Sequence, residues 1–284
     1  MVTGVPGGRA RSALPGTSGA RFADVRWVAE TGSTNADAMA LARGGEPEGV
    51  VVVADHQTAG RGRAGRTWSA PSGASLLASV LLRPPAAAAE ACSTALALAA
   101  AEAVEEVGGF VPRLKWPNDL VWPGDGSADD RKLAGVLAEA DWPVGSSAST
   151  GPRRPPPEER VVVVAGIGIN VRWPAELPED LVDVAVACNH VTGHDVDRED
   201  LLIALLQHLG PWYDRLLADD RPALVAAWRQ RSATLGRRVR VELGTEDVVG
   251  TAVDLTEEGH LVVDTLEGER RTFAVGDVVH LRPA

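Results

Sequence analysis

Lysine is almost missing from this chain: of 28 basic residues in 284 positions, only Lys115 and Lys132 are lysine. GC-rich coding is a sufficient source for such a skew. Where arginine has displaced lysine nearly everywhere, a retained lysine marks a position that needs a compact, mobile ammonium in place of a flat guanidinium fork. Cysteine is as scarce. Cys92 and Cys188 stand alone in unrelated surroundings, which argues against a disulfide framework or a zinc site and makes a reducing cytoplasm the default compartment. Positive charge is also short. A formal net charge of −11 argues against nucleic acid as the main partner, because a phosphate-tracking surface is basic. No run approaches ~20 uninterrupted apolar residues, so no membrane span is expected. Residues 1–23 lack the apolar stretch of a signal peptide and, being rich in Gly, Ala, Ser, Pro and Arg, read as a disordered tail.

What is present gives an α+β pattern. Ordered structure is expected from Asp24. Residues 32–35 lead into a short hydroxyl-capped helix that ends at Gly44 and Gly45. The β-branched run from Gly49 to Asp55 is a buried strand that feeds a long loop, His56 to Gly73. Ser75 to Leu82 is the next strand. Ala86 to Val107 is an alanine-rich helix whose apolar breadth suits packing against a sheet. Two strand pieces follow in Arg113 to Trp122, bent between Trp116 and Asp119, then strands at Lys132–Ala140 and Arg160–Val171. Between these last two, the Ser, Pro and Arg-rich stretch 145–159 is expected to be a mobile insertion. Helices follow at Leu201–Leu217 and Ala223–Arg231. From Gly236 short alternating strands separated by Gly, Asp and Glu turns predict a small β-barrel. The organisation is a domain over 24–234 with a mixed or antiparallel sheet and helices, plus an all-β module over 235–284.

The chemistry-bearing peptides are few. In the loop, Arg61, Arg63 and Arg66 alternate with Gly60, Gly62 and Gly65, and Trp68 closes the set. Glycines let backbone amides turn towards an anion, guanidiniums grip phosphate or carboxylate with two hydrogen bonds each, and the indole offers a stacking face. Such a loop is expected to lack order of its own and to close over its ligand. The alternative is a solvated basic loop or an RNA-binding segment, which the acidic remainder of the chain disfavours. A P-loop is absent, as are the Gly-x-Ser-x-Gly elbow and any paired Ser or Cys nucleophile beside His56. The strand ending Gly166, Gly168, Asn170 lacks the third glycine and following helix of a dinucleotide-binding turn. Its glycines fit either a ligand lying on the sheet or simple packing, and Asn170 would supply an amide at the strand's end. His190 and His194 lie before the next helical pattern and suit a loop or cap role better than a metal site. Trp116 and Trp122 read as core aromatics.

Taken together, five peptides in register resemble the biotin–protein ligase family. They are Gly-Ser-Thr-Asn at 32–35, the glycine–arginine loop at 57–68, Lys-Trp-Pro-Asn-Asp at 115–119, Lys-Leu-Ala-Gly-Val-Leu at 132–137 and Gly-Ile-Gly-Ile-Asn at 166–170. The resemblance runs from about Asp24 to the C-terminus. It implies a class II synthetase-like sheet domain followed by an SH3-like domain. It also implies ATP-dependent activation of biotin to biotinyl-5′-AMP, then transfer to a lysine on the biotin carboxyl carrier domain of an acyl-CoA carboxylase. Some relatives carry an N-terminal DNA-binding winged helix; with only the short tail before the ligase region, a dedicated ligase is expected, not a repressor. Mg²⁺ is the implied cofactor, and monomer and homodimer are both open.

Carried over by that resemblance, Ser33, Thr34, Asn35 and Gln57 surround the ureido ring, while Gly135, Gly166 and Gly168 let the ring system and valeryl chain lie close to backbone. Gly60, Arg61, Gly62, Arg63 and Arg66 belong to the closing loop and meet carboxylate and phosphates. Lys132 bridges the biotin carboxylate and the α-phosphate. Trp68, Asn118 and Asn170 contact the adenylate, with Lys115 a further nucleotide-binding residue. Asp119 holds Mg²⁺ or orients the incoming lysine. Arg63, Arg66, Lys132 and Asp119 form the catalytic set. A lipoate–protein ligase is the nearest enzymatic alternative, and a non-catalytic biotin-binding module is the alternative of another class.

Overall fold

The computed structural model describes residues 5–123, 130–142, 155–244 and 246–281. Its centre is a seven-stranded mixed sheet in the order β1-β2-β3-β7-β6-β5-β4. The strands are β1 (Asp24–Thr31), β2 (Val50–Gln57), β3 (Ser75–Leu82), β4 (Arg113–Lys115), β5 (Asp119–Trp122), β6 (Arg131–Asp141) and β7 (Val162–Asn170). Only the β1–β2 pair is parallel; every other neighbour is antiparallel.

The valine run of β2 is continuous because both faces of the sheet are covered. Val51 and Val53 point into the main core with α3 (Cys92–Gly108) and α5 (Arg198–Leu217). Val50 and Val52 point the other way, against Ala38 and Ala42 of α2 (Thr34–Arg43). Leu81 and Val164 join that second cluster, so α2 covers one end of its face of the sheet. The other end is left to the loop after β2. Residues 86–108 are long and apolar enough by composition to cross a membrane, but two thirds of that stretch is buried here. The helix proper starts at Cys92, because residues 86–88 form a separate 3-10 turn.

Several expectations need correction. Residues 5–23 are not a disordered tail. They form α1 (Gly8–Ala13) and a 3-10 turn at Ala20–Phe22, burying Ala10, Leu14 and Phe22 completely. The cause is a long-range charge match that composition cannot reveal. Arg9 meets Asp197 and Asp200 at 2.5 Å each and Glu199 at 3.3 Å, all at the start of α5. Most of the 145–159 stretch lies outside the described residues. Its end, 155–159, is a turn whose Pro157 and Glu159 carbonyls accept from Ala87 and Ala86. The cap role expected for His190 holds: it lies on a short helix, α4 (Cys188–Thr192), and its Nδ1 accepts from the Ala187 amide at the helix start.

The chain continues through α6 (Arg221–Arg231), whose first turn is capped by Asp220, into a five-stranded antiparallel sheet ordered β11-β10-β9-β8-β12. Its strands are β8 (Arg238–Glu242), β9 (Asp247–Leu255), β10 (Leu261–Thr265), β11 (Arg270–Phe273) and β12 (Asp277–His280). The last was not anticipated, because Gly276 separates it from the run ending near Val275.

A buried polar seam joins the two sheets. Asp130 and His280 side chains are 3% and 10% exposed and lie 3.0 Å apart, with Arg237 also on Asp130. His280 Nε2 is 3.2 Å from Thr234 Oγ1, which accepts the Trp116 amide. Facing a carboxylate, His280 Nδ1 carries hydrogen and donates to Asp130, while Nε2 meets the threonine hydroxyl. Trp116 is buried, and its indole donates to the Gly259 carbonyl.

Candidate active site

Register on the three central strands places glycine beside glycine. Gly168 of β7 pairs with Leu77 of β3 on one side and Gly135 of β6 on the other; Gly166 pairs with Ser79 and Leu137. The result is a floor without side chains at the end of the sheet that α2 does not cover. Two side chains lie on it. A Cβ on Gly168 would stand 2.5–2.8 Å from Cε2, Nε1 and Cζ2 of Trp68, and one on Gly135 would be 3.1 Å from Trp68 and from Lys132. A Cβ on Gly166 would collide with the Asn35 carboxamide. The glycines thus accommodate protein side chains in this structure, which adds to the expectation that they make room for a ring system.

One end of the floor is a chain of polar groups. Ser79 Oγ lies 2.7 Å from Thr34 Oγ1 and 2.6 Å from Asn35 Oδ1. The Thr34 hydroxyl and amide donate to Gln57 Oε1, at 2.9 and 2.8 Å. Asn35 Nδ2 donates to Glu139 and to the Leu137 carbonyl. Ser33 starts α2 without a side-chain capping bond, contrary to the hydroxyl cap expected, and lines the cavity. Buried hydroxyls and amides held this rigidly can read donors and acceptors on a ligand with little reorganisation.

The other end is cationic. The loop expected to lack order is a tight hairpin. Trp68 N donates to Gly60 O, Gly62 N to Arg66 O, and Arg66 N to Arg63 O around a tip in which Ala64 and Gly65 have positive φ. Gly60 has no room for a side chain because the Trp68 carbonyl passes over it, and it lies outside the cavity lining. Each arginine has its own anchor. Arg61 pairs with Glu139 at 2.9 Å, Arg63 donates to Asn118 Oδ1 at 3.1 Å, and Arg66 pairs with Asp277 at 2.8 Å. Asn118 Nδ2 in turn donates to the Val136 carbonyl. Burial, and then the nearby Arg66, lower the pKa of Arg63.

Lys132 Nζ lies 2.8 Å from Asp119 Oδ1 and 5.5 Å from the centre of the Trp68 ring. The Lys132 main chain is clasped by residues 184–186, with Val184 O accepting its amide and Val186 N donating to its carbonyl.

The cavity, about 120 Å³ and open to solvent, is lined by Ser33, Thr34, Asn35, Gln57, Arg61, Gly62, Arg63, Arg66, Trp68, Asn118, Lys132, Gly135, Gly166 and Gly168 among others. Four predicted residues are not in that lining. Lys115 is half-buried, with a lowered pKa caused first by burial and opposed by Asp119 and Asp130. Asp119 sits behind Lys132. Asn170 is 2% exposed, and its amide group donates to Lys132 O and Val186 O. It fastens two chain segments under the site and does not reach into the cavity. Ser79, Glu139 and Asp277 were missed. Ser79 was hidden inside an apolar strand, and the other two act only through long-range contacts.

The geometry has close counterparts. The model of the "Biotin/lipoate A/B protein ligase family" matches residues 33–142, and that of the "Biotin protein ligase C terminal domain" matches residues 234–281. The chain is 40% identical over 279 residues to the biotin–[acetyl-CoA-carboxylase] ligase of Mycobacterium tuberculosis, covering 93% of this chain and 91% of that protein. It is 30% identical over 246 residues to the bifunctional ligase/repressor BirA of Bacillus subtilis, covering 85% of this chain and 70% of that one. Among solved structures, the biotin protein ligase of Aquifex aeolicus in complex with biotin and ATP superposes with a TM-score of 0.72 at 27% identity, over 92% of this chain and 99% of that one. The chain belongs to the biotin protein ligase family.

Proposed function

We propose that this site joins biotin to a protein lysine in two steps. In the first, the biotin carboxylate attacks the α-phosphate of ATP, giving biotinyl-5′-AMP and releasing pyrophosphate. In the second, a lysine ε-amine on the acceptor attacks the acyl carbon, giving the amide and AMP. Neither step requires a protein nucleophile. Both require anionic reactants held against their mutual repulsion, which is a task for fixed cations.

The carrying observation is the glycine floor with a polar network at one end and Lys132, Arg63 and Arg66 at the other. The planar ureido ring of the bicycle suits the Ser33–Thr34–Asn35–Gln57 end, and the carboxylate and phosphates suit the cationic end. The likeness to a ligase solved with biotin and ATP supports these two reactants as the occupants of the site. The cavity volume of about 120 Å³ is below the ~300–1,000 Å³ of ordinary small-molecule sites, and Trp68 lies on the glycine floor, so in this reading the hairpin carrying Trp68 lifts to admit both reactants.

Mg²⁺ takes one or two carboxylates plus substrate phosphates. Asp119, expected to hold it or to orient the incoming lysine, lies outside the cavity lining with Lys132 Nζ 2.8 Å from its Oδ1, an arrangement that does not fit an ion shared with substrate phosphates. Asn118 orients Arg63, and Lys132 holds the charge between the two reactants. The acceptor is a biotin carrier domain of an acyl-CoA carboxylase, in keeping with the names of the Mycobacterium tuberculosis and Paracoccus denitrificans relatives.

Pyrophosphate exchange into ATP, driven by biotin and run beside lipoate, tests this reading. Exchange should depend on biotin. Exchange with lipoate alone would overturn it in favour of the lipoate branch, and exchange with neither would favour a binding module.

A further inference from the structure

We infer that Asp277, on the C-terminal sheet, is a positioning residue for the flap arginines in the adenylate-forming step; this rests on the ligase reading above. Asp277 opens β12 directly after Gly276, and its carboxylate accepts from Arg66 Nη2 at 2.8 Å. Arg66 also donates from Nε to the Arg63 carbonyl at 3.2 Å, so one guanidinium ties the hairpin tip to the second sheet. Arg66 lines the cavity while making both bonds.

A carboxylate beside an anion-binding site is unfavourable for the substrate unless it serves a cation. Here it serves two. Arg63 and Arg66 lie three residues apart on a tight turn, and Arg66 works against the charge on Arg63 while Asp277 works for it. Asp277 therefore relieves the repulsion that converging guanidiniums create and fixes the direction of the Arg66 fork. The C-terminal sheet thereby takes part in closing the site, although none of its residues lines the cavity.

Both partners are partly exposed, so the pair is worth little to global stability and its loss should be read in the kinetics. Asp277→Asn keeps the shape and removes the charge. In biotin-dependent ATP–pyrophosphate exchange it should raise KM for ATP about two- to fivefold, moving kcat less, and should increase escape of biotinyl-AMP into solution. Asp277→Glu should recover part of the loss. Asp277→Asn added to Arg66→Ala should cost less than Asp277→Asn alone, because only its action on Arg63 is then left to lose. An unchanged or lowered KM for ATP in Asp277→Asn, or full additivity in the double variant, overturns the inference. Absence of biotin-dependent exchange in the unaltered protein would instead overturn the ligase reading, so the two failures are told apart.

Discussion

Lys132 Nζ and Asp119 Oδ1 stand 2.8 Å apart across the β5–β6 pair, beneath the Trp68 indole. One of the chain's two lysines is thus held by a carboxylate at the place where two anionic reactants would meet. Lys132→Ala should lower biotin-dependent exchange by ~10²–10³, equivalent to ~3–4 kcal/mol of transition-state stabilisation. Lys132→Arg should not restore it, because a planar fork cannot occupy the space of a compact ammonium against Trp68 and Gly135. Exchange rates of the two variants, with circular dichroism as a control for folding, check this. Recovery above half the original rate in the arginine variant would refute it.

The glycine floor makes a second, steric prediction. In Gly168→Val the added carbons occupy the position of the indole ring atoms, so Trp68 must leave the floor. Biotin binding measured by calorimetry should weaken at least about tenfold, on the order of 1.4 kcal/mol. The far-UV spectrum should be unchanged, since valine suits a strand and the added carbons meet the Trp68 side chain, not backbone. Unaltered affinity would mean that neither the indole nor the vitamin needs this surface.

Acid should weaken the seam between the sheets. The pKa of His280 lies below its ordinary value, first because of burial, with Lys115 and Arg237 adding to the effect and Asp130 opposing it. Folding therefore favours the neutral imidazole. Its contribution is complete above the unfolded-chain value, ~6.5, and is lost as pH falls below it. Burial pushes the Asp130 carboxyl up, but the contacts with His280 and Arg237 outweigh that and leave its pKa lowered. That second contribution persists until much lower pH. Melting temperature should thus decline between pH 7.5 and 5.5, and His280→Gln should flatten the slope over that window. A slope equal in both proteins would remove His280 from the account.

The N-terminal segment offers a test on stability alone. Leu14 is completely buried, so Leu14→Ala should cost about 2–4 kcal/mol in denaturant unfolding. A disordered segment would give no measurable change.

Much of this was legible because it is local. The β2, β3 and β7 strands announce themselves as β-branched or apolar runs, and the sheet register then brings Gly135, Gly166 and Gly168 together. The glycines could be read as sites of close approach, but not what approaches them. What stayed hidden depends on partners distant in the chain. Arg9 has no visible purpose until α5 presents three carboxylates to it. Residues 5–23 were misread for that reason, since small residues with a few arginines have the composition of a tail. Asn170 sits in a family motif, yet its amide group holds strand and loop together instead of reaching the cavity. Asp277 lies on a strand that sequence patterning does not anticipate, beyond Gly276.

Asn118 touches Arg63 with its oxygen and the Val136 carbonyl with its nitrogen. An amide is suited to that dual duty because its two ends differ in polarity. An aspartate there would keep the grip on arginine but set oxygen against oxygen at Val136. This one position therefore ties the direction of the Arg63 guanidinium to the main chain of β6, and a substitution there alters the seat of the hairpin without removing a cation.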